Sequence, residues 1–169
     1  MEGRRSALGT DPPMIIEQPA PVGRRRLVVT IVLTVAVAAI TNGALAALGF
    51  NPPNSQIWPA FAPPGATIGI VWIVLFAGMG AALALAADRR AVVVLILMCL
   101  AYPFYTHLFS NHLTELVGNV FTLAYAVWLA LRVRFQSPLA AIFIACVAAW
   151  IVFATVLVLA LARLNGWKI

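Results

Sequence analysis

Five uninterrupted apolar runs divide this chain, at 27–50, 65–87, 91–109, 113–131 and 138–162. Within them, Val92-Val93-Val94-Leu95-Ile96-Leu97 and Val156-Leu157-Val158-Leu159 leave no polar face at either a helical or a strand period. A barrel strand would alternate apolar and polar positions, so the pattern predicts helices that are apolar all round. A hydrocarbon core of ~30 Å takes about 20 helical residues at ~1.5 Å each. Every run is about that length, and the expected fold is an all-α integral membrane protein, a five-transmembrane-helix bundle. Pro103 falls near the end of the third run, where a membrane helix tolerates it if its neighbours satisfy the freed carbonyl.

Composition agrees. Of the 169 residues, 63% are hydrophobic and 9% charged, against roughly 45–50% and about 25% in a soluble domain. That excludes a water-soluble globule. The net charge of +6 forms no basic stripe interleaved with aromatics, so nucleic acid is not an expected partner. The charge instead reads as topology. Arg4, Arg5, Arg24, Arg25, Arg26, Arg89, Arg90, Arg132 and Arg134 fall on one side of the spans, and Arg163 and Lys168 on the other. Positive residues stay inside, which predicts a cytoplasmic amino terminus, an external carboxyl terminus and, in a bacterium, the cell membrane.

Residues 1–26 mix prolines with both charge signs and read as a disordered cytoplasmic arm, followed by a membrane domain over 27–169. The first run is too long for a signal-peptide core and leads into Asn-Pro-Pro. An organellar transit peptide is weighed against by Glu2, Asp11 and Glu17.

Few residues could carry chemistry. Gly65, Gly69, Trp72, Phe76 and Gly80 share one side of the second helix. They fit either close helix packing or a groove for a flat ligand floored by Trp72. In the fifth helix Ala141, Ala145 and Ala149 form a small-residue stripe beside a bulky one of Cys146, Trp150, Phe153 and Leu157. Trp72 and Trp150 lie deeper than interfacial anchors need to, whereas Trp58, Trp128 and Trp167 fit that role. Among intramembrane polar groups, Glu115 suits an interface, and Asn42 and Asn119 suit helix-to-helix glue or a ligand contact. His107 and His112, five residues apart, diverge by about 140° on a helix and do not make a metal pair. Cys99 and Cys146 lie inside apolar runs and build neither a disulfide framework nor a metal site. No nucleophile–base pair, phosphate loop or dinucleotide fingerprint is present.

The stretch Trp58-Pro-Ala-Phe-Ala-Pro-Pro-Gly-Ala-Thr-Ile-Gly-Ile-Val-Trp72 resembles the TspO/MBR family of tryptophan-rich sensory proteins, also called translocator or peripheral benzodiazepine-receptor proteins. That family shows a proline-rich first loop ending in Pro-Pro-Gly and a tryptophan seven residues after the glycine. Trp150-Ile-Val-Phe-Ala-Thr155 and Arg163-Leu164-Asn165 are similar to its fifth helix and ending. Departures are Ala66 for a frequent tryptophan, Tyr105 and Leu108 for an Asn and a Trp in helix three, and Asn119 for an aspartate in helix four.

The resemblance implies a five-helix bundle, commonly a homodimer, that binds porphyrin-type tetrapyrroles such as protoporphyrin or haem, and in some members sterols or drug-like ligands. It also implies a regulatory or stress-related role, with no obligatory cofactor. The ligand-contact residues it points to here are Trp58, Phe61, Pro64, Gly65, Gly69, Trp72, Phe76, Tyr105, Asn119, Cys146, Trp150 and Phe153. A transporter of tetrapyrroles or lipids and a membrane scaffold remain as alternatives, although no internal repeat supports the former. Light- or oxygen-dependent porphyrin degradation by the tryptophans is conceivable chemistry, but no acid or base flanks them, which argues against an enzyme.

Overall fold

A computed structural model describes residues 23–49, 57–109 and 112–166, without the side chains of 107–109. The expected arm over 1–22 and the expectations for His107, Leu108, Trp167 and Lys168 fall outside what is described. Five helices make up the fold: α1 (Arg24–Ala47), α2 (Gly65–Leu85), α3 (Arg89–Phe109), α4 (His112–Val133) and α5 (Pro138–Leu164). Each is long and apolar enough to cross a membrane. No strand occurs among the described residues.

The helix ends differ from the hydropathic runs by a few residues, for physical reasons. α1 begins at Arg24, three residues inside the expected arm, because arginines continue a helix while their charged heads reach towards water. It stops at Ala47, not residue 50, where Gly49 takes a φ of 79°. There Leu48 N–H donates to Ala44 O at 3.0 Å and Gly49 N–H to Ala46 O at 3.1 Å, the left-handed ending that glycine permits without a Cβ clash. Asp88 Oδ1 accepts from Ala91 N–H at 3.2 Å and opens α3. Ser137 Oγ accepts from Ala140 N–H at 3.3 Å and opens α5, with Pro138 in the first turn, where no amide is needed.

α2, α5, α4 and α3 pack in that cyclic order, α3 returning to α2, and α1 lies outside the ring against α2. Gly80 makes that last contact close. A Cβ there would fall 2.7 Å from Ile31 Cα and 2.8 Å from Thr30 O. The stripe from Gly65 to Gly80 thus shares a side of α2 but not a neighbour, for its last glycine serves α1. In α5, neither of the two stripes read from the sequence forms the packed face as a whole. Ala141 is buried, but Ala145 and Ala149 are exposed, and the packed face is Ala140, Ile144, Val147 and Ile151. Wedged between α4 and α2, α5 needs branched side chains to fill the space two neighbours leave.

The core is concentrated at one end. Met79, Val92, Leu95, Leu129, Ile144 and Val147 are fully buried, and all lie in the halves of their helices next to Asp88, Arg89 and Arg132. At this arginine end Arg132 pairs with Asp88 at 3.0 Å, and Tyr125 Oη donates to Ala91 O at 3.0 Å, tying α4 to the start of α3. At the opposite loop end, α2 from Gly65 to Val74 buries no residue, nor does α3 from Leu100 to Thr106.

Candidate functional site

The loop end is where the sequence-derived contact residues collect, because chain direction alternates: it holds the starts of α2 and α4 and the ends of α3 and α5. The loop before α2 is fixed there by Asn165, the residue that ends α5. Ile57 N–H donates to Asn165 Oδ1 at 2.9 Å, and Asn165 Nδ2 donates to Ile57 O at 3.0 Å and to Leu161 O at 2.9 Å. One amide side chain thus pairs with a loop backbone as a strand neighbour would. Gly166, with a φ of 66°, turns the chain away immediately afterwards.

This clamp sets Phe61 edge-on to Phe153, ring centres 6.5 Å apart, and Trp150 lies beside Phe153 at 5.1 Å, tilted by 31°. Loop and α5 together wall a groove of about 530 Å³, lined by Pro59, Ala60, Phe61, Val156, Leu159 and Arg163 among others. The walls are apolar, and the Arg163 guanidinium supplies the cation at the rim. On α2, Trp72 stacks obliquely on Phe76 at 5.8 Å. Phe76 is a buried core residue and Trp72 a half-buried one.

The remaining positions are distributed as follows. Trp58 is exposed on the loop, and Pro64, Gly65 and Gly69 are exposed, the two glycines having no atom within 4 Å of where a Cβ would stand. Cys146 is exposed on the surface of α5. Tyr105 and Asn119 lie on α3 and α4, on the other side of the ring. A Cβ on Gly118 would fall 2.6 Å from Tyr105 Cζ, so the phenol lies directly on α4 beside Asn119. Tyr102 stacks edge-on against Tyr105, ring centres 5.5 Å apart. The structure therefore forms two clusters: Phe61, Phe153 and Trp150 beneath the loop, and Tyr105 with Tyr102 against Gly118 of α4.

Other polar residues serve locally. Asn42 Nδ2 donates to Ala38 O of its own helix at 2.9 Å, and the residue is exposed, so among the described residues it glues no second helix. Glu115 accepts from His112 at 3.0 Å in the first turn of α4. No group of three metal-ligating side chains occurs among the described residues. Asn165, Tyr102 and Gly118 were not among the positions singled out from sequence for ligand contact. Asn165 carried a signal, as part of the Arg-Leu-Asn ending, but its bonding partner is backbone and leaves none.

Comparison with protein families matches residues 27–164 to the TspO/MBR family. Comparison with individually curated proteins gives no match.

Proposed function

The chain belongs to the TspO/MBR family, and from that premise we propose that this multi-pass membrane protein is a receptor or carrier for porphyrin-type tetrapyrroles, held at the loop end of the bundle. The observation that supports this most directly is the groove beneath the loop. Its volume of about 530 Å³ lies in the range of roughly 300–1,000 Å³ over which pockets bury small molecules. A porphyrin is a flat apolar disc with two carboxylates on one edge. Phe61, which lines the groove with Phe153 edge-on behind it, offers a ring to the disc at the low entropic cost of an aromatic side chain. Arg163 meets the carboxylates with a fork of donors. With the nine arginines on the cytoplasmic side, the groove opens outside.

Titration with protoporphyrin IX and with its uncharged dimethyl ester tests the orientation. Arg163→Gln weakens the diacid about tenfold, the worth of one hydrogen bond to a charged group, and leaves the ester unchanged. Equal loss for both would show that Arg163 does not face the carboxylates. Undiminished binding in Phe61→Ala with Leu159→Ala, two residues that line the groove, would remove the groove from consideration.

A further inference from the structure

The arginine end carries more positive charge than the described residues balance. Arg132 pairs with Asp88 at 3.0 Å, and that pair joins the turn between α2 and α3 to the end of α4. Arg89 and Arg90 follow Asp88 directly, and Arg134 follows Arg132 by two residues. At ~3.8 Å per residue, the four arginines therefore gather at one corner around Asp88. Arg89, Arg90 and Arg134 are all exposed. Among the described residues, none of the three has a carboxylate at ion-pair distance. Like charges held this close repel one another unless an anion lies among them.

The turn between α4 and α5 presents Arg134 in an ordered form. Its N–H donates to Ala130 O at 3.1 Å, and Gln136 and Ser137 N–H both donate to Val133 O, at 3.0 and 2.8 Å. Val133 is fully buried, so the turn is seated on packed atoms. The same turn holds Phe135 83% exposed, a ring that hydrocarbon accepts and water does not. Arg134 Cζ stands 4.4 Å from the centre of that ring. A guanidinium over an aromatic ring is engaged through its face and keeps the N–H donors of its edge for an anion. Arg132, by contrast, lies over Trp128 at 5.1 Å and already donates to Asp88. Trp128 is exposed six residues before Arg134, about 9 Å along α4, where an indole suits the membrane interface. Exposed rings beside uncompensated cations match the two parts of a phospholipid, its chains and its phosphate. A free phosphate would make no use of Phe135.

We propose that this corner is a binding site for an anionic phospholipid, its headgroup held by Arg134, Arg89 and Arg90 and its chains packed against Phe135 and Trp128. The site lies at the opposite end of the bundle from the groove and does not depend on what the groove binds. Native mass spectrometry of the full-length protein, released from a neutral detergent with equimolar phosphatidylglycerol and phosphatidylcholine of the same acyl chains, yields the ratio of the two in the singly lipidated protein. The wild type favours phosphatidylglycerol. Arg134→Gln and Arg89→Gln each lower the ratio about fivefold, the worth of one arginine at an anionic headgroup. Arg134→Lys, which keeps the charge but not the planar fork, falls between Arg134→Gln and the wild type. Phe135→Ser lowers retention of both lipids and leaves their ratio unchanged. A ratio near one in the wild type overturns the site. So does an equal loss in Arg25→Gln, which removes one charge from the same end at the start of α1, because a diffuse basic field and not a corner would then select the lipid. Displacement of the bound phosphatidylglycerol by inorganic phosphate would assign the arginines to a soluble anion and overturn the lipid site as well.

Discussion

Replacing Asn165 with alanine removes two hydrogen bonds to Ile57, at 2.9 and 3.0 Å, across a sequence separation of 108 residues, and leaves Leu161 O short of one donor. Each net hydrogen bond contributes about 0.5–1.5 kcal/mol. Both loop bonds are exposed, so water replaces them readily and the lower part of that range applies, a total of about 1–1.5 kcal/mol. Spent on one segment, that free energy raises the open fraction of the loop by about tenfold without touching global stability. Amide hydrogen exchange in nanodiscs reads it directly. Ile57 exchanges about tenfold faster in Asn165→Ala, while Ile144 and Val147, fully buried at the other end, keep their wild-type protection. Asn165→Asp retains an acceptor for Ile57 N–H and loses the donor, so its exchange rate falls between the two. Protoporphyrin IX, if it sits beneath the loop, leaves the alanine variant faster by a similar factor. Unchanged exchange at Ile57 would refute the clamp, and equally accelerated exchange at Ile144 would show that Asn165 supports the whole bundle.

The glycines separate into those that packing requires and those it does not. Gly80→Ala places a methyl against the α1 backbone, which cannot yield as a side chain can, and lowers stability by about 1–3 kcal/mol in detergent unfolding. Gly69→Ala meets nothing within 4 Å and is neutral or slightly stabilising. Gly118→Ala collides with Tyr105 and costs about 1–3 kcal/mol, most of it recovered in the Gly118→Ala, Tyr105→Ala double variant. Arg132→Gln removes an ion pair whose side chains are 52% and 32% exposed, and shifts stability by less than about 1 kcal/mol. A reporter active only in the cytoplasm, fused after Ile169, stays silent, and activity there would reverse the assigned orientation.

The number of helices was legible because each apolar run is far longer than a chance cluster and no run alternates. Which neighbour a face meets was not. Gly65 and Gly80 lie on one side of α2 by periodicity, yet one is open and the other pressed against Thr30 and Ile31, because periodicity describes a helix and not its surroundings. The same limit left open which stripe of α5 packs, and Ala145 and Ala149 prove to be exposed. Asn119 was readable, since an amide within an apolar run must find a partner or a purpose. Tyr102, which stacks on Tyr105, was hidden by its ordinariness as an aromatic residue in a membrane helix. Asn165 could be noticed only through resemblance, because its partner is the backbone of Ile57.

The concentration of filled side chains at the arginine end gives the two ends of the same helices different mechanical character. Near Val92, Leu129 and Ile144 the bundle behaves as a stiff base, where any displacement must compress packed atoms. Towards Gly65 and Tyr105 it is a compliant rim, shaped as much by the lipid around it as by its own contacts. Lateral pressure in a bilayer varies with depth and with the tails present, so a change in the composition of the leaflet at the rim deforms the loop end, while the same change at the base is resisted. The loop end is thereby the part of the bundle whose shape is set least by its own packing.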